Sequence, residues 1–269
     1  MSGRSNSFPP SSTGSVLVQA DGSGPLAPYC SYYGFSEVAP TPIRRREGPG
    51  ADIVVLVSFG EPWWINGERV MSFAAGLHEQ QVTTEHRGRS FAIQLNVAPP
   101  LARLVFGLPL YTLANRVVPL DEVLGGADLA ERVHAAGAWP ERFGVLDALL
   151  RRRLADARLP DAGVWWAWQR LKEFRGRVAI GALAAELGWS RKRIVARFRD
   201  EVGVAPKTYA RLLRFDRARS LAEAAAVPDW SWIAHACGYY DQSHLIHDFR
   251  AISGRTPETF FQDAVAASA

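Results

Sequence analysis

An internal repeat in residues 163–269 limits the folds open to this chain more than any other feature of its sequence. An offset of 50 residues relates segment 183–189 to segment 233–239, and an offset of 51 relates segment 198–209 to segment 249–260. One residue is therefore inserted in the second copy, between a glycine-containing turn and the helix that follows it. A repeat of this length predicts two similar supersecondary units, one after the other.

Each copy has the pattern of a helix, a tight turn and a second helix. A small alanine before the turn lets the two helices approach, and Gly188 and Gly238 give the backbone freedom that the turn needs. In a helix-turn-helix, the second helix enters the major groove of DNA. A repeated helical scaffold with no role in DNA binding is the alternative. The predicted helix 190–201 favours DNA, because Ile194 and Phe198 share a buried face that arginine and lysine surround.

Charge is distributed unevenly along this part of the chain. Residues 170–219 contain 14 basic and 5 acidic residues, whereas residues 220–269 contain 2 basic and 6 acidic residues. A cationic block on one domain is the expected footprint for a polyanion such as DNA. A solvated helix face is the competing interpretation of the charge alone.

The C-terminal region resembles the DNA-binding domain of AraC/XylS-type transcription regulators. The resemblance rests on the run Gly238–His244, continued by Phe249-Arg250, Gly254, Thr256-Pro257 and Phe260. It implies a seven-helix domain in which a long helix, here 206–225, joins two helix-turn-helix units. The acidic second unit departs from the family's common pattern, and it has His247 where a longer cation is often found.

The resemblance also implies which side chains contact DNA. Bases would be read by residues of both recognition helices, namely Arg191, Lys192, Val195, Ala196, Gln242, Ser243, Ile246 and His247. The chemistry agrees, since Arg and Lys pair with guanine, Gln pairs with adenine, and small apolar side chains contact the thymine methyl group. Six further cations suit phosphates: Arg197, Arg199, Lys207, Arg211, Arg214 and Arg250.

The N-terminal part has a different pattern. The segment 51–60 is typical of a buried strand, Asn66-Gly67 indicates a hairpin, and residues 72–100 predict two or three strands around a turn at 87–89. Helical periodicity follows at 101–106, 110–115, 127–136 and 140–158. We therefore expect an α+β chain with a disordered arm (1–28), a sensor and oligomerisation domain (29–162) and a DNA-binding domain (163–269). The sensor domain resembles, by pattern, a small antiparallel cupin-like sheet with dimerisation helices.

Two readings of the N-terminal domain compete with a simple sensor. A metal-dependent cupin enzyme with an appended DNA-binding domain would need a cluster of ligands, and only His78, Glu79, Glu85 and His86 are available in the strand-rich region. We expect no metal, no cofactor and no catalytic residue. A non-specific architectural DNA-binding protein is the other alternative. A candidate effector pocket could use Trp63, Trp64, Phe73, Phe91 and Leu95, although core packing explains the same aromatics.

The expected partners are duplex DNA, a small-molecule effector, RNA polymerase and a second copy of the chain. The homodimer is expected through the apolar face of helix 140–158. The sequence has no apolar run long enough to span a membrane and no secretory signal, and its two cysteines, Cys30 and Cys237, cannot form a disulfide framework. These features predict a cytoplasmic protein.

Overall fold

The computed structural model describes residues 16–125 and 128–266, which form an antiparallel sheet followed by a series of helices. The strands are β1 (Val16–Asp21), β2 (Cys30–Glu47), β3 (Ile53–Ser58), β4 (Trp63–Ile65), β5 (Glu68–Val70), β6 (Phe73–Ala75), β7 (Val82–Val97) and β8 (Val117–Pro119). The helices are α1 (Pro99–Phe106), α2 (Leu120–Leu124), α3 (Leu129–Ala135), α4 (Trp139–Ala155), α5 (Ala162–Glu173), α6 (Ile180–Glu186), α7 (Arg191–Val202), α8 (Pro206–Glu223), α9 (Trp230–Ala236), α10 (Gln242–Ser253) and α11 (Pro257–Ala266). The α+β class and the seven helices of the C-terminal region are confirmed.

Strand β7 organises the sheet. The strand order is β1-β2-β7-β3-β6-β8, with every pair antiparallel. The first part of β7 also pairs with β4, and its last part pairs with β3. The β4–β5 hairpin turns at Asn66 and Gly67, whose φ angles of 51° and 89° fit the predicted two-residue turn.

Two predictions for the N-terminal region need correction, and one short helix was missed. Residues 16–28 do not belong to a disordered arm, because β1 pairs with β2 and a short 3₁₀ segment follows (residues 1–15 lie outside the described residues). No turn separates two strands at 87–89. Gly88, with φ of 63°, bends β7 opposite a register shift in β2, and the strand continues. Helix α2 was not predicted, since it is only five residues long.

The two faces of the sheet belong to two different hydrophobic clusters. Ile53 and Leu95 lie on the face that packs against the helices, whereas Leu56, Trp63 and Phe73 lie on the other face and form a smaller cluster. The larger cluster continues without a break into α5, α6, α7 and α8. The sheet, the helices α5 to α7 and the first part of α8, as far as Leu213, therefore share one hydrophobic core.

Helix α4 uses its apolar stripe within the chain. Phe143, Leu146 and Leu150 are buried in the large cluster, and the ring of Phe143 stacks on Tyr32 of β2 at 5.4 Å. The stripe that led us to expect a homodimer thus closes the core of the N-terminal region. The homodimer remains a prediction, but the apolar face of α4 no longer supports it.

None of the helices in residues 16–125 and 128–266 is both long enough and apolar enough to cross a lipid bilayer.

Candidate DNA-binding surface

The two copies of the repeat fold into the same hydrogen-bonded turn. In the first unit (α6 and α7), the Trp189 N–H donates to the Ala184 carbonyl at 2.8 Å, and Gly188 has φ of 63°. In the second unit (α9 and α10), the Tyr239 N–H donates to the Ala234 carbonyl at 2.9 Å, and Gly238 has φ of 76°. A left-handed glycine ends the first helix and turns the chain into the second.

The recognition helices begin at equivalent residues. Ser190 caps α7, with its Oγ accepting from the Arg193 N–H at 3.2 Å, and Asp241 caps α10, with its Oδ1 accepting from the His244 N–H at 2.7 Å. These caps are 51 residues apart, whereas the glycines of the turn are 50 apart. The structure thus confirms the predicted insertion, and the inserted residue is Tyr240.

Helix α8 connects the two units. Its 18 residues give it a length of about 27 Å at 1.5 Å per residue. Both α7 and α10 pack against it. The spacing between the units is therefore set by one continuous helix.

The structure leaves most of the predicted base-reading side chains accessible. Six are exposed, and Val195 and Ile246 are half-buried. The six exposed side chains are those of Arg191, Lys192, Ala196, Gln242, Ser243 and His247. On each helix, apolar residues of the opposite face hold it in the core, as Ile194 and Phe198 do for α7.

The six cations predicted to contact phosphates fall into two groups. Arg199, Lys207 and Arg250 are exposed and form no ion pair within the described part of the chain. Arg197 instead pairs with a carboxylate of the linker before α5, and Arg211 and Arg214 pair with Asp248. The second group, Arg197, Arg211 and Arg214, therefore forms ion pairs within the fold.

The ion pairs of Arg197 and Asp248 occupy equivalent positions, 51 residues apart, in the two recognition helices. Arg197 donates to Asp161 at 2.9 Å, and this pair holds the pKa of Asp161 below its usual range and that of Arg197 above it. Asp248 accepts from Arg211 at 2.9 Å and lies 3.6 Å from Arg214. The charge at this position is thus reversed between the units, and each helix is held by a different neighbour.

The N-terminal region also holds α7, which the sequence did not predict. Glu201 accepts from the Asp161 N–H at 2.9 Å, and Asp200 lies 3.7 Å from Arg103 of α1. Gly203, just after α7, meets the carbonyl of Leu110 closely. The back of the first recognition helix is therefore packed on the N-terminal region and the linker.

Aromatic side chains complete this contact between the two regions. Tyr29 packs against Trp165 and Trp168 of α5, with ring centroids 5.2 and 6.3 Å apart. The Trp168 Nε1–H donates to the Tyr209 hydroxyl of α8 at 2.8 Å. The tryptophans of α5 thus pack both within the helical domain and against Tyr29, which directly precedes β2.

A cavity of about 310 Å³ lies between the open face of the sheet and helices α5 and α8. Val54 and Phe73 contribute an apolar wall, and Lys172, Arg217 and Arg219 line the opposite side. Two residues that line it have a buried atom with no hydrogen-bond partner among the described residues, namely Oδ1 of Asp52 and Nε of Arg219, whose terminal nitrogens pair with Asp216 and Glu223. Glu47 lines the same cavity, where desolvation raises its pKa to about 8 against the opposing effect of Arg45 and Arg219.

The candidate effector pocket predicted from sequence does not form as one site. Of its five residues, only Phe73 lines this cavity. Leu95 lies on the opposite face of the sheet from Phe73, because side chains alternate along a strand. Phe91 packs with Phe59 at 4.4 Å, and Trp64 lies under the guanidinium of Arg87.

The histidines of the sheet make contacts other than those of a metal site. His86 Nε2 lies 2.9 Å from Glu37, which also accepts from Arg45. The ring of His78 bonds to the Gly76 carbonyl at 2.8 Å. Within residues 16–125 and 128–266, no group of three or more His, Cys, Asp or Glu side chains converges to hold a metal ion.

Comparison with known proteins identifies the helical region. The helix-turn-helix domain family matches residues 183–263, which contain both units. A search of curated proteins gave no match.

Solved structures with a related overall shape include ToxT from Vibrio cholerae, which is 8% identical, aligns over 86% of this chain and 97% of its own, and has a TM-score of 0.47. The C-terminal domain of AraT, a response regulator from Geobacillus stearothermophilus, is 20% identical over 38% of this chain and 86% of its own, with a TM-score of 0.36. The AraC-like transcriptional activator CuxR is 14% identical over 79% of this chain and 87% of its own, with a TM-score of 0.30. All three TM-scores lie below 0.5, so the domain is identified by the family match and not by these overall likenesses.

Proposed function

We propose that this protein, whose residues 183–263 form a helix-turn-helix domain of the AraC type, is a sequence-specific transcription regulator. Helices α7 and α10 would enter two major grooves on one side of a duplex. The observation that carries this proposal is the pair of recognition helices with equivalent caps, each of which exposes polar side chains near its N-terminal end. In a helix-turn-helix, that end of the second helix contacts base edges.

The assignment of the side chains follows their chemistry. Arg191 and Lys192 suit guanine, and Gln242 suits adenine, because their hydrogen-bonding groups match the major-groove edges of those bases. Arg199, Lys207 and Arg250 would contact phosphates, which fix the register of the protein without selecting a sequence. As a bacterial-type regulator, the protein would act in the cytoplasm, where it would meet both DNA and RNA polymerase.

We further propose that a small-molecule effector acts through the cavity between the sheet and α8. The cavity joins the N-terminal region to the helix that connects both units, so a ligand there can change how the units are held. The unpaired Arg219 Nε and Asp52 Oδ1 favour a ligand that has both acceptor and donor groups. A cavity of this size and mixed lining fits a small organic molecule.

The DNA proposal is tested by selecting duplexes from a random-sequence library with the full-length protein. We expect an operator that binds at least about 10³-fold more tightly than unrelated DNA at the same salt concentration. The logarithm of the affinity should also fall with that of salt by about 0.9 for each phosphate contact. A specific-to-non-specific ratio near one would indicate an architectural DNA-binding protein instead.

The effector proposal is tested separately by filling the cavity. Ala75 is half-buried at the cavity wall, so Ala75→Phe adds a ring there. We expect purified Ala75→Phe to bind the selected operator as the wild type does, while a reporter gene behind that operator loses its response to growth conditions. An unchanged response in the cell would contradict the proposed site.

A further inference from the structure

Tyr240 is the one residue by which the second unit exceeds the first, and its side chain is 91% exposed. No other large apolar or aromatic side chain among the described residues exposes a greater fraction. The neighbouring Tyr239, at the position equivalent to Trp189, is buried. Packing therefore explains Tyr239 and gives no reason for an aromatic ring at position 240.

The backbone around Tyr240 is well held. Its N–H donates to Nδ1 of His244 at 3.4 Å, and the His244 ring packs edge-on against Tyr239 with centroids 5.3 Å apart. The preceding peptide is fixed by the bond from Tyr239 to Ala234, and the following residue, Asp241, caps α10. The backbone at Tyr240 is thus held in an ordered turn, whereas the residue itself is almost fully exposed.

The position of Tyr240 places it at the DNA side of the second unit if the proposed function holds. It directly precedes the N-cap of α10, and the first turn of a recognition helix faces the groove. A residue just before that first turn would then lie beside the groove, close to the phosphates that border it. Tyrosine hydroxyls are regular donors to phosphate oxygens in protein–DNA complexes.

The charge of the second unit explains why an uncharged donor matters there. Residues 220–269 contain two basic residues, and one of them, Arg250, lies near the far end of α10. At the near end, the first turn of α10 contains no lysine or arginine, whereas α7 begins with Arg191-Lys192-Arg193. A neutral hydroxyl can hold a phosphate at this end without a positive charge.

We propose that Tyr240 anchors the second unit to DNA through a hydrogen bond from its phenolic hydroxyl to a phosphate oxygen. This inference rests on the proposed function, since it requires α10 to lie in a major groove. It assigns to the inserted residue a positioning role, distinct from base reading by Gln242. Because the contact involves no cation, it should contribute affinity without adding to the salt dependence of binding.

The test compares Tyr240→Phe, Arg250→Ala and the control Leu159→Ala in the full-length protein. Leu159 is 85% exposed in the linker before α5. We expect Tyr240→Phe to bind both the selected operator and unrelated duplex about fivefold more weakly, with an unchanged salt slope. Arg250→Ala should lower the salt slope by about one, and Leu159→Ala should bind as the wild type does.

Operator duplexes with a single methylphosphonate then locate the contact. Replacing the contacted phosphate should remove the difference between wild type and Tyr240→Phe, while replacement elsewhere should preserve it. Equal binding by wild type and Tyr240→Phe on unmodified operator would overturn the inference, as would a difference that persists at every methylphosphonate. The proposed function would fail differently, through a wild type that selects no operator at all.

Discussion

The two helix-turn-helix units have the same backbone but are held and charged in opposite ways. The recognition helix of the first unit is tied by Arg197 to Asp161 in the linker, and that of the second by Asp248 to Arg211 of α8. The exposed face of α7 is strongly cationic, whereas the first turn of α10 exposes Gln242 and Ser243. One fold thus presents a cationic surface in one copy and a largely neutral surface in the other.

This difference suggests a division of labour on DNA. A cationic helix attracts phosphates of any sequence, so the first unit should dominate non-specific binding. A neutral helix gains from hydrogen bonds that form only with matching bases, so the second unit should add specificity with little salt dependence. Both units contact the N-terminal region, the first through Asp200 and Arg103 and the second through the Ile252 carbonyl, which accepts from the Gln81 N–H at 3.0 Å, so that region can act on either unit directly.

The largest expected effect is on stability, and it concerns the ion pairs that join Asp248 of α10 to α8. Asp248→Ala leaves Arg211 and Arg214 without their shared carboxylate in a mostly buried site. We expect a loss of about 3 kcal/mol in the free energy of unfolding, measured by urea denaturation. Hydrogen exchange should localise the loss to α9 and α10. A loss no larger than that of the exposed control Arg250→Ala would contradict this account of the second unit.

The next effect concerns Glu47, which ends β2 and lines the same cavity as residues of α8. The pKa of Glu47 is raised to about 8, so the folded state keeps a proton that the unfolded state releases near its ordinary pKa of 4.5. The stability that Glu47 contributes is therefore complete below about pH 4.5 and is lost as the pH rises through 8, by at most about 1.4 kcal/mol per pH unit. Glu47→Gln cannot ionise and should flatten this dependence between pH 6 and 8 in urea denaturation. An equally steep decline in the variant would contradict the assignment.

Arg199 tests the electrostatic role of the first unit. Arg199→Ala should weaken binding to all DNA sequences alike and lower the salt slope by about one. Arg132→Ala, an exposed arginine of α3, is the matched control and should change neither quantity. Titration of duplex DNA at several salt concentrations measures both. A change in base preference would instead make Arg199 a base-reading residue.

The smallest effect is a gain in DNA binding. Asp161→Asn keeps the oxygen that caps α5 but loses the one that accepts from Arg197. The freed Arg197 should raise the salt slope on unrelated DNA by up to about one. The pKa of Asp161 is lowered in the folded state, so its ion pair with Arg197 stabilises the fold at neutral pH. This contribution to stability is lost as the pH falls below about 4. An unchanged slope would show that Arg197 reaches phosphates while paired.

The helical region was predicted closely because its signals are local. Gly188 and Gly238 mark both turns, and the predicted helices 190–201 and 206–225 lie within two residues of the bounds of α7 and α8. The one-residue insertion also follows from the sequence, since the two offsets differ by one. These features depend on neighbours in the chain, which a sequence displays directly.

Long-range contacts could not be predicted in the same way. The pairing of Arg197 with Asp161, and of Arg211 with Asp248, joins residues that no local pattern relates. Gly88 suggested a turn, although its neighbours on β2 keep the strand paired on both sides. The cavity at α8 likewise depends on how the sheet meets the helices. Only the N-cap of α5 has a local signal in the linker, because Asp161 directly precedes that helix.

Base-by-base substitution of the selected operator tests the central claim most directly, with wild type, Lys192→Ala and Gln242→Ala measured side by side. The account predicts two half-sites about one helical turn apart. Lys192→Ala should abolish base preference in one half-site and Gln242→Ala in the other, each at a cost of about 1–3 kcal/mol for the operator. Preserved base preference in both variants would contradict the assignment of α7 and α10 as recognition helices.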